Sequence, residues 1–80
     1  MDIKQIRSNV ASNVSYIRKQ LHLSQQQFSD KLQIGHKKYQ AYEYGRAIGF
    51  DVIYKISRFA KVSIDTLLTT DMSKGDQENV

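Results

Sequence analysis

Apolar residues recur along this chain at intervals of three and four, the spacing that collects side chains on one face of an α-helix. Val10, Val14, Ile17 and Leu21 form one such stripe and predict a first helix over about residues 9 to 21. Ile3 and Ile6 fit its continuation, so residues 1–8 are either an extension of that helix or an arm carrying Lys4 and Arg7. Ser24 to Gln27 reads as a capping box: the serine hydroxyl takes an orphan amide of the first turn while Gln27 reaches back to the serine amide. The short helix that follows faces inward through Phe28, Ser29 and Leu32 and should stop near Gln33, where Ile34-Gly35 breaks the period.

Gly35 then serves as the N-cap of a third helix, His36 to Tyr44, which turns Tyr39 and Tyr42 inward and ends at Gly45 in a left-handed stop. Residues 46–49 are a loop. Phe50, Ile53, Ile56, Phe59 and Ala60 mark a fourth helix, and Ser63-Ile64-Asp65 opens a short fifth containing Leu67 and Leu68. Proline is absent and glycine occurs only at 35, 45, 49 and 75, so little interrupts helix formation. The expectation is an all-α, compact five-helix domain over residues 9–69, with a mobile polar tail over residues 70–80.

Eighty residues build one modest core. A domain of this size buries only about 60% of the surface its unfolded chain exposes, so a partner subunit is a natural source of stability and a homodimer is expected. Without cysteine there is no disulfide, thiolate metal site or cysteine nucleophile. The first ten residues mix acid and base and lack the apolar run of a signal peptide, and no stretch reaches the roughly 18 apolar residues of a membrane span, so a cytoplasmic protein without membrane association is expected.

Charge is distributed unevenly. Residues 1–68 hold eleven Lys/Arg against five Asp/Glu, a balance of +6, whereas residues 69–80 stand at −2. A basic folded part attracts polyanions without by itself implying that sequence is read. His22 and His36 have no ligand-spaced partners for a metal, and there is no phosphate-binding loop or nucleophile elbow, so neither a cofactor nor an enzyme activity is expected.

Two short helices joined by a tight turn, the second basic and stopped by glycine, meet the requirements of a helix-turn-helix. Ser29 allows the two helices to cross closely, Ile34 plugs the turn, and Tyr39 and Tyr42 anchor the second helix. His36, Lys37, Lys38, Gln40, Ala41 and Tyr44 are left pointing outward. They suit a base edge and its flanking phosphates: lysine donates to guanine, glutamine pairs with adenine, and the alanine methyl touches thymine. Gln25, at a helix start, presents a carboxamide and free amides to a phosphate.

The run LSQQQFSDKLQIGHKKYQAYEYG, from Leu23 to Gly45, resembles the helix-turn-helix of the lambda-repressor-like family, which includes phage repressors, Cro proteins and XRE-type regulators. IRK at 17–19 and VSIDTLL at 62–68 extend the resemblance to about residues 9–69. It implies a five-helix domain that binds double-stranded operator DNA, usually as a dimer on a palindrome, as a repressor or autoregulator. Position by position, the resemblance implies that His36, Lys37, Gln40 and Ala41 face bases, that Gln25, Lys38, Tyr44 and Arg46 contact phosphates, and that Arg18 and Glu43 form a structural ion pair rather than an acid–base couple.

Four positions depart from the family pattern. Gln33 stands where glycine is usual, so either it takes a left-handed backbone or the turn has a different shape, Tyr39 and Tyr42 replace smaller aliphatics, and Gly35 replaces a capping serine or threonine. Within the same fold, an antitoxin or phage immunity regulator would add a protein partner such as a toxin, and an antirepressor would bind a regulator in place of DNA. Ile48, Phe50, Ile64 and Leu68 are the apolar candidates for a dimer interface.

Overall fold

The computed structural model of the protein describes residues 1–74 and is all-helical there, as the periodicity predicts. The helices are α1 (Ile3–Gln20), α2 (Gln25–Leu32), α3 (His36–Glu43), α4 (Phe50–Ala60) and α5 (Ile64–Thr69). α1 packs against α3 and α5, α2 against α3 and α4, and α4 against α5. The core they enclose is Val10, Val14, Ile17, Phe28, Leu32, Tyr39, Tyr42, Val52, Ile56 and Leu67. Every helix contributes to it.

The first helix is longer than the stripe from Val10 onward requires. It starts at Ile3 because Asp2 caps it, the carboxylate accepting the Gln5 amide at 2.8 Å, and residues 3–8 are helical rather than an arm. Ile3 is 62% exposed, and of this extra turn and a half Ile6 alone packs against the core. The extension also adds a projecting polar face.

Four of the five helices end in the same way. A residue with positive φ (His22, Gln33, Gly45 or Lys61) is followed by one whose amide reaches five residues back, from Leu23 to the Arg18 carbonyl, Ile34 to Ser29, Arg46 to Ala41, and Val62 to Ser57. These bonds satisfy orphan carbonyls of the last turn. Leu23, Ile34 and Val62 then pack on the core. Left-handed backbone costs a non-glycine residue about 1–2 kcal/mol, and burial of the next side chain offsets it. Gln33, with φ 58° and ψ 46°, takes the left-handed backbone, the first of its two alternatives.

The segment beyond α5 departs from the expected mobile tail as far as residue 74. Asn13, wholly buried in α1, donates to the Leu67 and Thr70 carbonyls at 3.0 and 2.6 Å and accepts the Met72 amide at 2.9 Å. Asn9 holds the Leu68 carbonyl at 2.9 Å. Met72 packs against the core, and residues 72–74 are helical. Residues 75–80 of the expected tail lie outside the described residues.

Candidate nucleic-acid interface

α2 and α3 meet as a compact pair across residues 33–35. Ser29 is fully buried between them and turns its hydroxyl back to the Gln26 carbonyl at 2.9 Å, so no polar atom is stranded at the crossing. Phe28 meets Tyr39 edge to face, with ring centroids 5.6 Å apart, and meets Phe59 of α4 at 5.7 Å. Tyr39 and Tyr42 are buried in the core. The larger side chains that distinguish α3 are therefore absorbed by the packing.

Beneath this pair lies a polar cluster built on Glu43, the last residue of α3. Its carboxylate accepts the Arg18 Nε at 2.7 Å, Arg18 Nη2 at 3.3 Å, Gln25 Nε2 at 3.0 Å and the Tyr39 hydroxyl. Arg18 also donates through Nη1 to the Leu23 carbonyl at 2.9 Å. The pair joins α1, the start of α2 and the end of α3 at one point, with side chains only 14% and 8% exposed. Burial alone would raise the Glu43 pKa, but hydrogen bonds from Arg18, Tyr39 and Gln25 outweigh it and hold the carboxyl below its ordinary value. The hydrogen bond to Glu43 raises Arg18 despite burial. Burial first, and then the bond to Glu43, pushes the Tyr39 phenol far above its usual range, so it remains a donor.

Gln25 is part of this cluster and not a free clamp. While Nε2 is committed to Glu43, Oε1 accepts from Gln40 Nε2 at 3.2 Å, so the first residue of α2 is linked to the outer face of α3. A residue expected at a phosphate and one expected at a base are thus oriented together, and both trace back to Arg18 through Glu43. Sequence spacing gives no sign of this link, because its partners lie 15 and 18 positions apart on different helices.

The other expected contact residues sit around that link. Lys37 and Lys38 are exposed on the first turn of α3, and the described residues place no carboxylate within ion-pair distance of either. Tyr44 is 86% exposed just past the helix end, and Arg46 is exposed in the loop behind it. Gln40 and Ala41 are half-buried between the two groups. His36 is half-buried too, with Nδ1 sealed from solvent and without a hydrogen-bond partner, so only its other ring nitrogen can serve a ligand. Gly35 caps α3 without a side-chain bond, and a Cβ there would meet nothing within 4 Å.

Cations and amide donors therefore dominate this surface, and the arrangement can neutralise phosphates while presenting hydrogen-bond groups to a groove. Among the described residues no group of His, Asp or Glu could hold a metal ion, and no helix is long and apolar enough to cross a membrane. No curated protein and no solved structure matches the chain. The helix-turn-helix family matches residues 14–67, from the middle of α1 into α5 and across the whole surface just described. It is a family of DNA-binding transcription regulators. With two-thirds of its length inside that match, the chain belongs to the helix-turn-helix family, of the lambda-repressor-like, XRE type.

Proposed function

We propose that this protein is a sequence-specific transcriptional regulator, a repressor or autoregulator, that reads a short palindromic operator as a homodimer. α3 enters the major groove. Lys37 donates to guanine acceptors, the free part of the Gln40 carboxamide pairs with a base edge, Ala41 touches a thymine methyl, and His36 offers its free ring nitrogen. Lys38, Tyr44 and Arg46 bind phosphates on either side, and Gln25 positions Gln40 while facing the backbone at the start of α2.

The observation that carries this reading is the polar cluster beneath α3. Its buried Arg18–Glu43 pair both ties α1 to α3 and, through its remaining bonds, orients Gln25 and Gln40 at the outer face of α3, where a base edge would be read. Dimerisation draws support from another side of the molecule. Ile48 and Leu68 line an apolar groove with Ile3, Ile6, Val10 and Ile53, and Phe50, at the start of α4, is 76% exposed. Ile64 is half-buried.

A gel-shift titration against DNA upstream of the protein's own coding sequence tests the reading. It predicts a discrete complex that competitor DNA of unrelated sequence does not displace. Equal displacement by any DNA would contradict sequence reading, and absence of a complex would contradict DNA binding at this site.

A further inference from the structure

A long polar groove runs along α1 beside the end of α3, lined by Lys4, Arg7, Ser8, Ser12, Ser15 and Lys19 on one wall and by Tyr44 and Gly45 on the other. Lys4, Ser8, Ser12, Ser15 and Lys19 follow each other at spacings of four, four, three and four, so the stripe lies along a single face of the helix. From Lys4 to Lys19 it extends about 22 Å at 1.5 Å per residue. Lys4, Arg7 and Lys19 are exposed, and no carboxylate among the described residues lies within ion-pair distance of them. Among the described residues Glu43 is the one acid in the lining, and Arg18 already neutralises it.

This groove is continuous with the surface that the proposed function assigns to phosphates. Tyr44 forms part of its wall, and Arg7 lines both this groove and the adjacent apolar one that Arg46 borders. From Arg46 through Tyr44 and Arg7 to Lys4 the surface offers cations and a hydroxyl; beside them Glu43 is paired with Arg18, and Asp71 accepts the amide and hydroxyl of Ser73. Lys4 and Arg7 fall in the part of α1 that precedes residue 14, where the family match begins. They lie on the projecting first turns of that helix.

We infer that this α1 groove is a second phosphate-binding track for the same DNA, in which Lys4, Arg7 and Lys19 hold the sugar–phosphate backbone beyond the reach of α3. The hydroxyls of Ser8, Ser12 and Ser15 add neutral donors between the cations. The track rests on the DNA-binding reading above and contributes affinity without sequence preference, since phosphates carry no base information.

The test is the salt dependence of binding, followed by fluorescence anisotropy on one labelled operator between about 50 and 200 mM salt. Each neutralised phosphate contributes about −0.9 to the slope of log K against log salt, so the double variant Lys4→Ala, Arg7→Ala should lose about 1.8 from the slope magnitude per subunit, about 3.6 for the dimer. Its ranking of operator sequences and its melting temperature should match the parent. A control of equal charge change, Arg58→Ala with Lys61→Ala, lies outside the groove and should keep the parental slope. A parental slope in the α1 variant, or an equal loss in the control, overturns the track while leaving DNA reading by α3 intact. Failure of the parent protein to bind any DNA would instead overturn the reading beneath it.

Discussion

Replacing Arg18 by alanine isolates the contribution of the buried cluster. Three hydrogen bonds disappear, two to Glu43 and one to the Leu23 carbonyl, and a carboxylate whose side chain is 8% exposed loses its counter-charge. Removing one partner of a buried pair costs about 3–5 kcal/mol; Glu43 keeps its bonds from Gln25 and Tyr39, which points to the lower end, about 3 kcal/mol. An 80-residue domain has about 4–12 kcal/mol in all, at roughly 0.05–0.15 kcal/mol per residue. The loss is therefore a quarter of its stability or more. At about 4–8 °C per kcal/mol for a domain of this size, Tm should fall by roughly 12–24 °C.

Circular dichroism melts at neutral pH measure this directly. Arg18→Lys should fall between alanine and wild type, because an ammonium retains the charge but cannot form the guanidinium's fork onto Glu43 together with the bond to Leu23. DNA affinity should drop even below the melting transition, since Gln25 and Gln40 lose the anchor that orients them. A Tm within about 2 °C of wild type for Arg18→Ala, well under 1 kcal/mol, would refute the argument that the pair organises the fold.

Other substitutions separate the remaining parts. Lys37→Ala should abolish discrimination at one base pair of each half-site, about 1–3 kcal/mol per half-site in a competition binding assay, whereas Arg46→Ala should weaken all sequences alike and reduce the salt slope by about 0.9 per subunit. Equal effects of both on specific and nonspecific DNA would show that readers and clamps are wrongly divided. Because the Glu43 pKa is depressed in the fold, its contribution to stability is present above the unfolded carboxylate's value, about 4.3, and is lost as pH falls through the lower folded value. Glu43→Gln should therefore flatten the acid limb of a stability–pH curve; Asp71, held low by Ser73, acts in both proteins and cancels in the comparison. Asn13→Ala leaves the Leu67 and Thr70 carbonyls and the Met72 amide unpaired, and urea unfolding should register about 1–3 kcal/mol or more of lost stability together with faster proteolysis after residue 70.

Much of this protein is legible in its sequence because local rules decide it. The Ser24–Gln27 capping box, the inward tyrosines of α3 and the apolar period of α1 each depend on residues within four positions of one another and appear where the pattern predicts; α4 forms where its period predicts, but Val52 and Ile56 face the core while Phe50 and Phe59 stay exposed. Helix ends are harder to read, since His22 and Lys61 stop helices through left-handed backbone that ordinarily signals glycine, and the compensating burial of Leu23 and Val62 is visible only in three dimensions. The start of α1 depends on Asp2, a cap without a core signal to support it. Polar residues resist reading most. Asn13 looks like an exposed helix position, yet its partners lie more than fifty residues away, and that distance is why residues 70–74 read as tail. Gln25 likewise reads as a free phosphate ligand until Glu43 and Gln40 are brought beside it by the packing of Phe28 on Tyr39.

The central claim, that α3 reads base sequence from each subunit of a dimer, is tested most directly by selecting bound fragments from a random pool of double-stranded DNA. The account predicts enrichment of a palindrome whose half-sites are centred about 34 Å apart, one helical turn, with Lys37→Ala relaxing the same symmetric position in both halves. Recovery of unenriched DNA, or of a motif indifferent to substitutions at His36, Lys37 and Gln40, would contradict it.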